Sequence, residues 1–330
     1  MKLAFAASAV LGLLLVTVLI GYYGFESVGG AFVSVGWAMV LLAAYDGLSI
    51  LCAALAWRAV VKAEWDAPIG LFVWSRWIRD AANSLMPVAQ VGGDIVGARL
   101  LAINGAGAAV ASASIVADKT IEVLTQFVFS LVGVGLMLVV SSDRALGWSV
   151  AIGLLIFGPL LVGFVVAQRM GMFHLLERLL LRLEANSAWL RLGDVTGLHD
   201  AILRLYSHRR GLVISTIYHL AAWTLGIGEV WLAVHFMGHD LTLVEATVIE
   251  SMSQAVRSAG FFIPASLGVQ EGGFLIFGVL FGLSPQMALA LSLVRRVRQL
   301  LVGVPALLAW QYYEGRRIVL ASQRTTPTDR

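Results

Sequence analysis

Residues 75–101 read SRWIRDAANSLMPVAQVGGDIVGARLL. Arg76, Arg79, Asp80, Asn83, Pro87, Gly92, Gly93, Asp94 and Arg99 stand together here, in a chain that is otherwise oily. Charges and helix breakers at membrane depth are costly, and they mark either the edge of the bilayer or a working site inside it. Arg76, Arg79, Asp80 and Asn83 fall at i, i+3, i+4 and i+7, which is one face of a helix. Pro87 stops that helix, because it lacks an N–H and constrains the residue before it. Residues 67–85 therefore read as one arm of a re-entrant hairpin and residues 88–117 as the returning arm, rich in the small side chains that let helices approach closely.

Composition sets the class. Of 330 residues, 59% are hydrophobic and 13% charged, with a mean hydropathy of +0.86; soluble domains carry about 25% charge. The chain reads as an all-α polytopic membrane protein. Its net charge of +3 is small and its arginines sit mainly between apolar runs, where they orient helices, so no nucleic-acid partner is expected. The single cysteine, Cys52, excludes an intrachain disulfide or a cysteine metal cluster. His235 and His239 lack a third metal ligand, and no HExxH, GxSxG, phosphate-binding or dinucleotide fingerprint appears. The expectation is a non-enzyme with no metal and no cofactor.

Six apolar runs are long enough to cross, at 3–23, 32–57, 118–140, 148–167, 211–236 and 285–313. The first lacks a small-residue cleavage pattern and reads as a retained helix, not a signal peptide. A second interrupted hairpin spans 245–283, around Pro264. Residues 168–210 carry seven arginines and the amphipathic stretch HLLERLLLRL, which reads as a cytoplasmic segment lying along the membrane surface. Lys and Arg are absent from the loops near Glu26 and at 237–243, which places those outside and both termini inside. One transmembrane domain, 1–320, followed by a polar tail, 321–330, accounts for the chain.

Aligning the two proline regions exposes an internal repeat, about 32–140 and 211–313. An acid follows the proline by seven residues in both copies, Asp94 and Glu271, and a charge follows it by thirty-one, Asp118 and Arg295. In this alignment Arg79 is answered by Arg257 and Gly92 by Gly268. The charge rule gives the two hairpins opposite sides, and inverted repeats with broken helices meeting near the midplane are the architecture of secondary transporters.

Candidate roles follow from chemistry. Arg79, Asn83, Asp94, Arg257 and Glu271 are the candidate substrate-binding groups, since an arginine fork grips phosphate or carboxylate; Asp94 and Glu271 equally suit helix capping. Pro87, Gly92, Gly93, Pro264 and Gly268 are the candidate hinges. Asp118 and Glu122, one turn apart, are expected to face Arg295 and Arg298 across the pseudo-twofold, as structural neutralisation or as a lock that alternates. Asp46 and Glu229 lie mid-helix, where an unpaired carboxylate would hold its proton and serve coupling. His219 reads as a hydrogen-bonded core histidine.

The segments RWIRDAANSLMPVAQVGGDIVGARLL, DKTIEVLTQ, FFIPASLGVQEGGFLIFGVLFG and ALSLVRRVRQLLVGVPALLAWQ resemble the lysylphosphatidylglycerol synthase transmembrane family. Within it they are most similar to the hopanoid-biosynthesis-associated flippase-like membrane proteins of bacteria. The resemblance implies an inner-membrane protein that moves or presents a lipid, with a hopanoid or phospholipid as cargo. Better-understood members add a cytosolic aminoacyl-transferase domain, which is not expected here, so the synthase activity is not expected either. The alternative is a non-transporting scaffold or accessory subunit that holds lipid-biosynthetic enzymes at the bilayer.

Overall fold

The computed structural model describes residues 30, 33, 35–85, 92–140, 144–170, 197–260, 263 and 266–324. The first apolar run, Pro87, Pro264 and the stretch HLLERLLLRL lie outside the described residues. Among the described residues there are ten α-helices and one π-helical turn, and no strand. In chain order they are α1 (Ala38–Val61), α2 (Ile69–Leu85), α3 (Gly92–Leu101), α4 (Ala108–Val140), α5 (Arg144–Arg169), α6 (Leu198–Ser207), α7 (Arg209–Phe236), α8 (Leu243–Ala259), α9 (Val269–Leu280) and α10 (Pro285–Arg324). Among the described residues, α1, α4 and α7 are each long and apolar enough to cross a bilayer.

Local chemistry sets the boundaries. Thr242 and Glu245 form a reciprocal capping box at the start of α8: Glu245 N–H donates to Thr242 Oγ1 at 3.3 Å and Thr242 N–H to Glu245 Oε2 at 2.8 Å. Between α3 and α4 the backbone breaks at Gly105 and Gly107, with φ of 106° and 72°, and Asn104 Nδ2 donates to Leu100 O at 2.7 Å. The returning arm thus ends at Leu101, earlier than the sequence implied, and the long helix begins at Ala108, not at Asp118. Asp118 and Arg295 both lie ten residues inside their helices, which start at 108 and 285. A charge there need not mark a helix start, because each has buried partners. At the other end α10 continues past Leu320 to Arg324.

The order long helix, 17-residue helix, short helix, long helix occurs twice, as α1–α4 and α7–α10. Packing repeats with it: α2 lies on α3 and α8 on α9, while α2 meets α10 as α8 meets α4. Helices α1 and α7, first in each copy, pack on each other most extensively. They run antiparallel. Gly211 opens α7 against the carbonyl of Ala59 near the end of α1, and at the opposite ends Phe236 meets Trp37 with ring centroids 6.4 Å apart. Equivalent helices that run in opposite directions make the two copies inverted.

Burial is also reversed from a soluble protein. Val128, Leu131, Val132, Val213, Ile217, Leu300 and Leu308 are exposed, while Arg79, Asp118 and Glu250 are buried. An apolar exterior around a charged interior is what hydrocarbon solvation selects. One apolar cluster joins Leu42, Met137, Val230, Ile249 and Phe274, and a second joins Trp57, Phe72, Leu101, Ala117 and Ile202. The buried charges lie alongside these clusters.

Candidate functional site

The first charge cluster is built by α2, α3, α4 and α7. Arg79 Nε donates to Asp94 Oδ1 at 2.6 Å and its Nη1 to Asp118 Oδ2 at 2.6 Å, with the guanidinium 5.2 Å from the Trp57 ring centroid. Arg76 joins Asp80 at 2.8 Å, Asp118 at 3.3 Å and Glu122 at 3.4 Å. His219 Nε2 lies 3.0 Å from Asp118 Oδ1; an ionised carboxylate only accepts, so the ring N–H points at it. Asn83 Oδ1 accepts from the N–H of Gly93 at 2.8 Å and its Nδ2 donates to Asp94 at 3.4 Å, tying the two arms of the hairpin together. The face read from Arg76, Arg79, Asp80 and Asn83 is therefore one connected network.

The second cluster is built by α1, α7, α8 and α10. Arg295 pairs with Glu250 at 2.7 Å and Glu229 at 3.4 Å, and its guanidinium lies 5.2 Å from the Phe274 ring centroid. Arg298 pairs with Glu229 at 2.7 Å and also with Asp46. Beside it, Arg296 Nε donates to Glu271 Oε1 at 2.9 Å and its Nη2 to the carbonyl of Ser266 at 3.0 Å. Glu271 also accepts from the N–H of Gly268 at 2.8 Å, so capping and ion pairing are one arrangement.

Several expectations change. Asp118 and Glu122 do not face Arg295 and Arg298; they pair with Arg76 and Arg79 of their own repeat's hairpin, while Arg295 and Arg298 are held by Glu250, Glu229 and Asp46. Asp46 and Glu229 are not lone carboxylates, since Arg298 holds both. Gly92 and Gly93 are the first residues of α3, and Gly93 is needed for close approach: a Cβ there would strike the carbonyl of Arg79. Gly268, at φ 79°, does use glycine's freedom.

The structural register also corrects the pairing of Arg79 with Arg257. Helices α2 and α8 are both 17 residues long and start 174 residues apart, at 69 and 243, whereas α3 and α9 start 177 apart, at 92 and 269. The connection in the second hairpin is longer by three residues. In the first arms Arg76 thus corresponds to Glu250, Arg79 to Ser253, Asp80 to Gln254 and Asn83 to Arg257. Further on, Asp94 corresponds to Glu271 and Asp118 to Arg295. The pair Arg76–Asp118 returns with its charges exchanged, as Glu250–Arg295, and Arg76–Asp80 returns as Gln254 Nε2 donating to Glu250 at 3.0 Å.

Glu250 is the partner that sequence reasoning missed. Glu250 did carry a signal, a lone acid in an otherwise uncharged stretch of α8. Away from the clusters, a cavity of about 760 Å³ opens where the end of α1 meets the start of α7, with Arg58, Lys62, Arg209 and Arg210 on its rim and Leu55 and Ile214 in its wall.

Apolar outside, ion-paired inside and twice repeated with inversion, the chain is a multi-pass α-helical membrane protein. The family described as lysylphosphatidylglycerol synthase TM region matches residues 5–306, nearly the whole chain, and the chain belongs to that family. Its context is therefore a lipid-related membrane function. No curated protein and no solved structure gives a significant match.

Proposed function

We propose that this protein translocates a membrane lipid, a hopanoid or related polar lipid, by alternating access between its two hairpins and without chemistry on the lipid. The supporting observation is how the clusters are divided between the repeats. His219 of the second repeat closes onto Asp118 of the first, and Asp46 of the first closes onto Arg298 of the second. Rocking one repeat against the other breaks these two bridges and leaves each hairpin's own pairs, Arg79–Asp94 and Arg296–Glu271, in place. The charges then act as a latch between two states, with lipid-biosynthetic enzymes of the bacterial inner membrane as suppliers of cargo.

The test is transfer in proteoliposomes. Candidate lipids, hopanoid and phospholipid, carry a fluorophore that dithionite quenches from one side. Transfer above that of empty vesicles is expected, reduced at least tenfold in His219→Ala and Asp46→Asn. Folded protein that transfers none of the lipids sinks the reading and favours a scaffold.

A further inference from the structure

Resting on the translocase reading, we infer that the second hairpin carries a subsite for a phosphate-bearing lipid headgroup, formed by Ser253, Arg257 and Gln270. Three observations converge there. Among the described residues Arg257 forms neither an ion pair nor a hydrogen bond. The charges that act on it most strongly are Arg296, Arg295 and Arg298; Glu250 opposes them but is already held by Arg295. Those three arginines each have carboxylate partners, which leaves Arg257 as the guanidinium without one, and an unpaired guanidinium fork is a ready anion ligand.

Neighbouring polar atoms are equally unanswered. Ser253 and Gln270 are both 2% exposed, and the Ser253 hydroxyl and both Gln270 amide atoms have no hydrogen-bond partner among the described residues. Leaving such groups unpaired costs about 1–3 kcal/mol each, so a native protein that keeps them has a use for them. They belong to one seam. Helices α8 and α9 run antiparallel, with Gly260 against Val269 and Gly273 against the backbone of Ser253. Arg257 lies one turn beyond Ser253 on α8, and Gln270 one turn before Gly273 on α9, so the three residues share the facing sides of the two arms.

The corresponding positions of the first hairpin carry groups that are held. Where the second has Ser253, the first has Arg79, bound to Asp94 and Asp118; where it has Arg257, the first has Asn83, bound to Gly93 and Asp94. The second hairpin keeps donors to spare at these positions: the Arg257 fork, the Gln270 Nε2 and the Ser253 hydroxyl. Phosphate oxygens match that set. The bilayer setting makes the source a lipid head; free phosphate would offer the same chemistry.

Native mass spectrometry of the purified full chain tests this, with dioleoylphosphatidylglycerol against dioleoylglycerol, which lacks phosphate. The wild type is expected to retain the phospholipid and not the diacylglycerol. Arg257→Ala should weaken retention at least tenfold and Gln270→Leu several-fold, while Arg316→Ala, an exposed site on α10, should leave it unchanged. Because Arg257 is an unpaired cation, Arg257→Leu should keep or raise the melting temperature while losing the lipid, which a structural arginine would not do. Equal retention by Arg257→Ala, equal retention of diacylglycerol, or full displacement by millimolar inorganic phosphate would each overturn the proposal. Binding without transfer would defeat the translocase reading and leave the subsite standing.

Discussion

Among the described residues Asp118 is the most heavily used carboxylate: it meets Arg79 at 2.6 Å, Arg76 at 3.3 Å and His219 at 3.0 Å, and it is fully buried. Two cations depend on it. Asp118→Asn leaves Arg79 with Asp94 alone and is expected to cost about 3–5 kcal/mol, the usual loss when one member of a buried ion pair is removed. Thermal unfolding in detergent measures this. Asp46→Asn should cost less, because Arg298 keeps Glu229 at 2.7 Å. An equal loss at both positions would argue against the asymmetry of the two clusters. The residue types of these groups were legible in the sequence, but their partners were not. Arg76 to Asp118 spans 42 positions, Asp118 to His219 spans 101, and only packing brings them together.

At the scale of elements, glycines decide how closely helices approach. A Cβ at Gly211 would lie 2.5 Å from the carbonyl oxygen of Ala59, and one at Gly133 would strike the side chains of Ser251 and Met252. Backbone cannot retreat as a side-chain tip can. Gly211→Val should therefore destabilise the α1–α7 contact by about 1–3 kcal/mol, the range for overpacking. Gly135 meets nothing within 4 Å, so Gly135→Ala should be neutral or stabilising by up to about 1 kcal/mol. Melting temperatures of the two variants check the contrast. Element types and approximate limits were readable from hydropathy and from Thr242 and Glu245; the start of α4 was not. It is set by positive φ at Gly105 and Gly107, and the charge at Asp118 that seemed to open the helix lies within it.

For the whole molecule, inversion makes a prediction about geometry. With Cys52 replaced by serine, Trp37→Cys and Phe236→Cys should be joined by a short bismaleimide, because these ends of α1 and α7 are adjacent. Trp37→Cys with Arg209→Cys should not be joined, since those positions lie at opposite ends of the helix pair. The reverse result would mean parallel repeats. Impermeant maleimides applied from one side should also separate Lys62→Cys and Arg209→Cys from Asp240→Cys, which the charge rule predicts to lie on opposite sides.

The sequence by itself determined the membrane class, the family and the existence of a repeat, because composition, hydropathy and the spacing of Asp94 and Glu271 from their prolines are properties of a linear string. Only the tertiary structure decided which charges pair and which do not. It moved Arg257 from the counterpart of Arg79 to that of Asn83, because a connection three residues longer shifts the register of one arm and leaves no mark in the proline spacing. A guanidinium's partner is fixed by which helix faces cross, so Arg79 and Asn83 in residues 75–101 proved to be held by Asp94, while their counterparts in the second hairpin, Ser253 and Arg257, keep donors unspent.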